Sequence, residues 1–140
     1  MIPNTDQALR NLAQRLMVSL LPEFSSEYAV ADGATLGILI NVIADEIAEG
    51  IQKRVEDIDD MERLLSGCAL DENEAAVLQA SLASYSLRDV NDRHDALTRI
   101  LIDWHERAEL DDTLAALDRE IWQYLKRHAA RHTITAIPEL

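Results

Sequence analysis

Apolar residues recur at intervals of three, four or seven from about Ser26 to Leu65: Leu36, Ile40, Ile43, Ile47, Ile51, Val55, Ile58 and Leu65. At about 100° per residue they share one helix face. The pattern predicts a single long amphipathic helix, 26–66, interrupted only by Gly33, Gly37 and Gly50. Shorter segments repeat it. A first helix is expected from Thr5, with that hydroxyl as cap and Asp6 at the positive end of the dipole. Leu9, Leu12, Leu16 and Leu20 line its inner face, and Pro22 ends it. Gly67 suits a left-handed cap closing the long helix. Asp71 with Glu74 reads as a capping box opening a third helix, whose stripe would be Ala75, Leu78, Leu82 and Tyr85. Ser86 with Asp89 opens a fourth, with Val90, His94, Leu97, Leu101, Trp104 and Ala108 inside. A fifth runs from about Asp112 to Arg131 along Leu114, Leu117, Ile121 and Leu125. No segment alternates like a strand, and the tail 133–140 is too short for a domain. The expectation is an all-α bundle of about five helices in a single domain, 1–140.

Gly33 and Gly37 lie four residues apart on the apolar side, where missing side chains let another backbone approach. With Ile40 they mark the expected interface of a close helix crossing. Gly50 faces the charged side and is the expected weak point of the helix.

Composition agrees with helices. The chain is 48% apolar and 28% charged, with only 4% aromatic residues, so aliphatic ridges should form the core around Trp104 and Trp122 as large fillers. Net charge is −13, spread over both halves, with two lysines and no basic stretch. Phosphate neutralisation needs clustered cations, so nucleic acid is not an expected partner, nor is an anionic membrane surface. The amino terminus lacks a basic n-region followed by an apolar h-region, which implies a cytoplasmic protein. The single cysteine, Cys68, fits that compartment and reads as an incidental thiol.

Candidate chemistry concentrates in two places. Asp45, Glu46, Glu49, Glu56, Asp57, Asp59 and Asp60 form the densest acidic run, and Glu46-x-x-Glu49 with Glu56-x-x-Asp59 is similar to the acidic pairs of all-helical nucleotide pyrophosphohydrolases. Such pairs hold Mg²⁺ when carboxylates converge from two helices. Here both lie on one helix, and Glu46, Glu49, Glu56 and Asp60 fall opposite the isoleucine stripe, as on a solvated face. His128 and His132, spaced i, i+4, could clasp a transition metal but lack a third ligand nearby in sequence. The preferred reading of the pair is partial burial or dipole compensation. His94 and His105 could act as general bases, but no nucleophile motif accompanies them. Four scattered glycines form neither a phosphate loop nor a dinucleotide fingerprint, so no cofactor is expected.

The overall layout resembles an uncharacterised bacterial family of small helical proteins found beside, or fused to, acyl-CoA dehydrogenase-like and aminoglycoside-phosphotransferase-like proteins. The shared elements are the opening helix closing on Leu20-Leu21-Pro22, the long helix through Leu36 to Ile47 with Asp45-Glu46 and Glu49, and the late helix from Leu114 to Leu125. The ending Ala136-Ile137-Pro138-Glu139-Leu140 departs from the Tyr- or Arg-rich ending of that family. The resemblance implies an accessory role and carries over no catalytic residue. Forty helical residues would extend ~60 Å, more than a compact domain of this size needs. The expected function is therefore non-enzymatic association, as a homo-oligomer or with a partner protein. The alternative is a small metal-dependent hydrolase or ligand-binding bundle using those carboxylates or histidines.

Overall fold

Helix starts and stops follow from local chemistry in the computed structural model of the protein, which describes residues 4–134. Five α-helices follow in order: α1 (Thr5–Arg15), α2 (Glu27–Leu65), α3 (Glu72–Gln79), α4 (Leu87–Leu110) and α5 (Ala115–Arg131). No strand occurs among the described residues. The chain is all-α, with the long second helix the sequence predicts. Residues 135–140, most of the expected tail, lie outside the described residues.

The described residues divide into two compact units, 4–50 with Ile134 and 51–133, and the boundary falls at Gly50 within α2. In the first unit, Thr5 is the first helical residue and not its cap; Asn4 takes the cap position without a side-chain bond. Helical backbone then continues past Arg15 through a wide π turn, Leu16–Leu20, and a tight 3-10 turn, Leu21–Glu23, which contains Pro22. Gly33 and Gly37 are buried here. A Cβ on Gly33 would collide with Leu21 and stand 3.0 Å from Phe24, and one on Gly37 would lie 2.7 Å from Met17 Cγ. The space beside these glycines is filled by side chains of the chain's own opening segment, Leu21 and Phe24 at Gly33 and Met17 at Gly37, where the sequence pattern predicts another backbone. Arg10 pairs with Asp45 at 2.7 Å in the same unit.

The second unit holds the large buried side chains. Met61, Leu65, Leu97, Ile121 and Val90 are fully enclosed, with Ile58, Leu101, Trp104 and Tyr124 around them. The inner face predicted for α4 is correct: Val90, Leu97, Leu101, Trp104 and Ala108 are buried, and only His94 is partly open. Trp122 does not join the core. It is 49% exposed and stands nearly perpendicular to the His105 ring, 5.5 Å between ring centres.

The capping box of α3 is complete: Asp71 Oδ1 accepts from the Glu74 amide at 2.8 Å and Glu74 Oε2 from the Asp71 amide at 2.9 Å. The helix stops at Gln79, so Leu82 and Tyr85 do not extend its stripe, and Tyr85 is exposed. Arg93 of α4 explains that stop. Its guanidinium, buried, donates to the carbonyls of Val77 and Leu78 and to Glu62 Oε1 at 2.6 Å, satisfying carbonyls that a helix end leaves open.

Gly67 is not a left-handed cap, since no described glycine has positive φ. The end of α2 tightens instead, with the Gly67 amide bonding Leu64 O and the Cys68 amide bonding Leu65 O. A Cβ at Gly67 would meet only Leu64 O, at 3.5 Å. Gly67→Ala should therefore raise stability by about 0.4–1 kcal/mol, chiefly by restricting the unfolded chain. A urea midpoint that falls would show that the position needs glycine after all.

Candidate functional site

Residues 51–65 of α2 turn a mixed face inward. Asp57, Ile58, Asp60, Met61, Leu64 and Leu65 are all buried, which puts two carboxylates among the core residues. The sequence pattern puts Asp60 on a solvated face; the structure turns it inward, where α5 supplies cations for it. Arg127 Nε lies 3.2 Å and Arg131 Nη2 2.5 Å from Asp60 Oδ2, while Arg63 closes on Oδ1 at 2.5 Å.

Asp57 is the centre of this network and has no exposed surface. Its Oδ1 accepts from Arg131 Nη1 at 2.6 Å. Its Oδ2 lies 2.8 Å from His128 Nδ1, 2.7 Å from His132 Nε2 and 3.8 Å from His94 Nε2. Arg131 completes its fork on Glu56 Oε2 at 3.1 Å, so one guanidinium spans three carboxylates. Burial alone would push the Asp57 carboxyl up. His94 Nε2 at 3.8 Å and hydrogen bonds from His132, Arg131 and His128 outweigh it and hold the group well below the usual carboxylate range. Asp60 shows the same balance, lowered against burial by Arg131 and Arg127.

The rings lie side by side and tilted to one another, with the centre of His128 4.5 Å from that of His132 and 6.2 Å from that of His94. His94 and His128 also line a cavity of about 140 Å³ whose other walls include Leu101, Ile102, Ile121 and Leu125. His105 borders that cavity from further along α4, with its Nε2 3.4 Å from Asp118 Oδ1. Burial pushes the Cys68 thiol up, helped by Glu120 and Glu74, which keeps it protonated.

The structure brings together His128 and His132, and adds Asp57 and His94, which the sequence did not join to them. It does not bring together the acidic pairs. Glu46 and Glu49 are exposed, and the Glu46 carboxylate folds over Gly50, where a Cβ would lie 2.5 Å from it. Asp59 is exposed, and Glu56 is engaged by Arg131 and by Gln52 Nε2 at 3.1 Å.

A second feature lies in the first unit. Leu36, Leu39, Ile43 and Ile47 are each at least half exposed, about a quarter turn round α2 from Gly33, Gly37 and Ala44, while Ile40 is half-buried. None of the described helices is long and apolar enough to cross a membrane. No family model matches the chain, and no curated protein or solved structure matches it significantly.

Proposed function

We propose that the chain is an association module that pairs with a second copy of itself through the first half of α2. One observation carries this reading: among residues 4–50 the buried positions are Ala13, Gly33, Gly37, Ala44 and Gly50, all small. Ten large apolar side chains of the same stretch, from Leu12 to Ile47, remain exposed. Folding costs about 1–2 kcal/mol of backbone entropy per residue, and a segment of this size recovers it only by burying large side chains. The first unit does not do so within one chain.

The exposed residues Leu36, Leu39, Ile43 and Ile47 recur at three and four, so they form a continuous, uncharged strip. An identical strip on a second chain is complementary to it in a two-fold arrangement, in which each first unit supplies the core the other lacks. Each half-exposed Leu or Ile that becomes covered contributes about 1 kcal/mol.

Light scattering after size exclusion tests this directly. The expected mass is twice the 15.7 kDa of the chain. Ile43→Glu should halve it, and because Ile43 already faces solvent within one chain the substitution should leave the monomer's helicity intact. A wild-type protein that stays at one chain mass at high micromolar concentration overturns self-association. Co-purification with a larger enzyme, of the kind the family resemblance implies, would assign the strip to that partner instead.

A further inference from the structure

We propose that Asp57, His128 and His132, with His94 as fourth ligand, bind one divalent transition-metal ion of the zinc class. Asp57 of α2, His128 near the end of α5 and His132, which caps that helix, converge on one point, their ligand atoms all within 4.8 Å of one another, and His94 of α4 stands beside them with Nε2 3.8 Å from Asp57 Oδ2. Three imidazoles and one carboxylate form a borderline donor set that suits Zn²⁺ and its neighbours in the first transition row.

Spacing supports this reading. Ligands about 2.0–2.1 Å from a tetrahedral ion stand roughly 3.3–3.4 Å apart. The two contacts of Asp57 Oδ2 to His128 and His132, at 2.8 and 2.7 Å, would open by about half an ångström, and the 3.8 Å gap to His94 would close by a similar amount. His94 Nε2 is buried, points at the same oxygen and has no hydrogen-bond partner. A buried polar atom without a partner is costly. An ion between the four groups gives it one.

The outer shell already suits such a centre. Arg131 holds Asp57 Oδ1, which leaves Oδ2 for the ion, and Asp60 and Glu56 neutralise the guanidinium that does so. His128 lies in the last turn of α5 and His132, four residues on, caps that helix, so both reach the ion without a change in backbone. Coordination uses the tautomers that leave lone pairs on His128 Nδ1, His132 Nε2 and His94 Nε2.

The test uses the full chain stripped with a chelator, titrated with Zn²⁺ in a calorimeter and with Co²⁺ by visible absorption. One ion per chain is expected, with the strong Co²⁺ bands of a four-coordinate site. His128→Gln and His132→Gln should each weaken binding by roughly 100-fold or more, beyond the loss usual for outer-shell changes. His94→Gln should alter the Co²⁺ spectrum, and His105→Gln, outside the cluster, should change neither affinity nor spectrum. Circular dichroism identifies any variant that fails to fold, and the wild-type stoichiometry decides the matter without one. No stoichiometric ion on the wild-type chain, or undiminished binding by a folded His128→Gln/His132→Gln double variant, overturns the proposal.

Discussion

Arg131→Met should destabilise the protein by about 3–5 kcal/mol, the cost of leaving a buried charge without its partner. The guanidinium donates to Asp57 at 2.6 Å and to Asp60 at 2.5 Å, and both carboxylates are buried. Methionine fills similar volume but leaves the two acids facing each other with only Arg127, Arg63 and the histidines as compensation. Arg131→Lys should recover part of the loss, because a single ammonium cannot form the three-way fork. Thermal unfolding followed by circular dichroism measures this, at about 4–8 °C per kcal/mol for a unit of this size. A midpoint within a degree of wild type would mean that the network contributes nothing to stability.

The same network sets the response to acid. Asp57 and Asp60 titrate below their ordinary value of 3.8 in the folded state, so the unfolded chain binds their protons more tightly. Their contribution is complete above that value and is lost as pH falls beneath it. In Arg131→Met the folded carboxyls should titrate higher, so the acid transition should begin at higher pH.

Hydrogen exchange should divide the chain at Gly50. In dilute solution, where a dimer dissociates, amides of residues 4–50 should exchange orders of magnitude faster than those of α4, because opening them uncovers almost no large buried side chain. Residues 51–131 should stay protected at every concentration, since Met61, Leu65, Leu97 and Ile121 are fully enclosed there. Raising the concentration should slow exchange in α1 and the first half of α2 alone. Equal protection of both units at high dilution would show that the first unit is stable without a second copy.

Local periodicity made the helices legible, because the signals are local: the Asp71–Glu74 box, the Ser86 cap and the α4 stripe each lie within a few residues. It misplaced the inward face of α2. The isoleucine stripe predicts one buried face from end to end, yet Ile47 and Ile51 are exposed while Asp57 and Asp60 are buried. Asp57 is in phase with Met61 and Leu64, so a carboxylate on an apolar row was a visible signal. Its meaning was not, because its partners His128, Arg131 and His132 follow 71 to 75 residues later. No helical period links positions that far apart. The matching i, i+4 pairs at the end of α5, Arg127 with Arg131 and His128 with the capping His132, were the other half of that signal.

The closure of α3 by Arg93 has a consequence for the order of assembly. Eight residues are too few for a helix to persist in water by itself, and a capping box at one end does not change that. The group that satisfies its last carbonyls lies fourteen residues beyond Gln79, on a helix that must first find its place against α2. During synthesis, the stretch from Asp71 to Gln79 therefore leaves the ribosome as unstructured chain. It becomes helical only after α4 has emerged and docked.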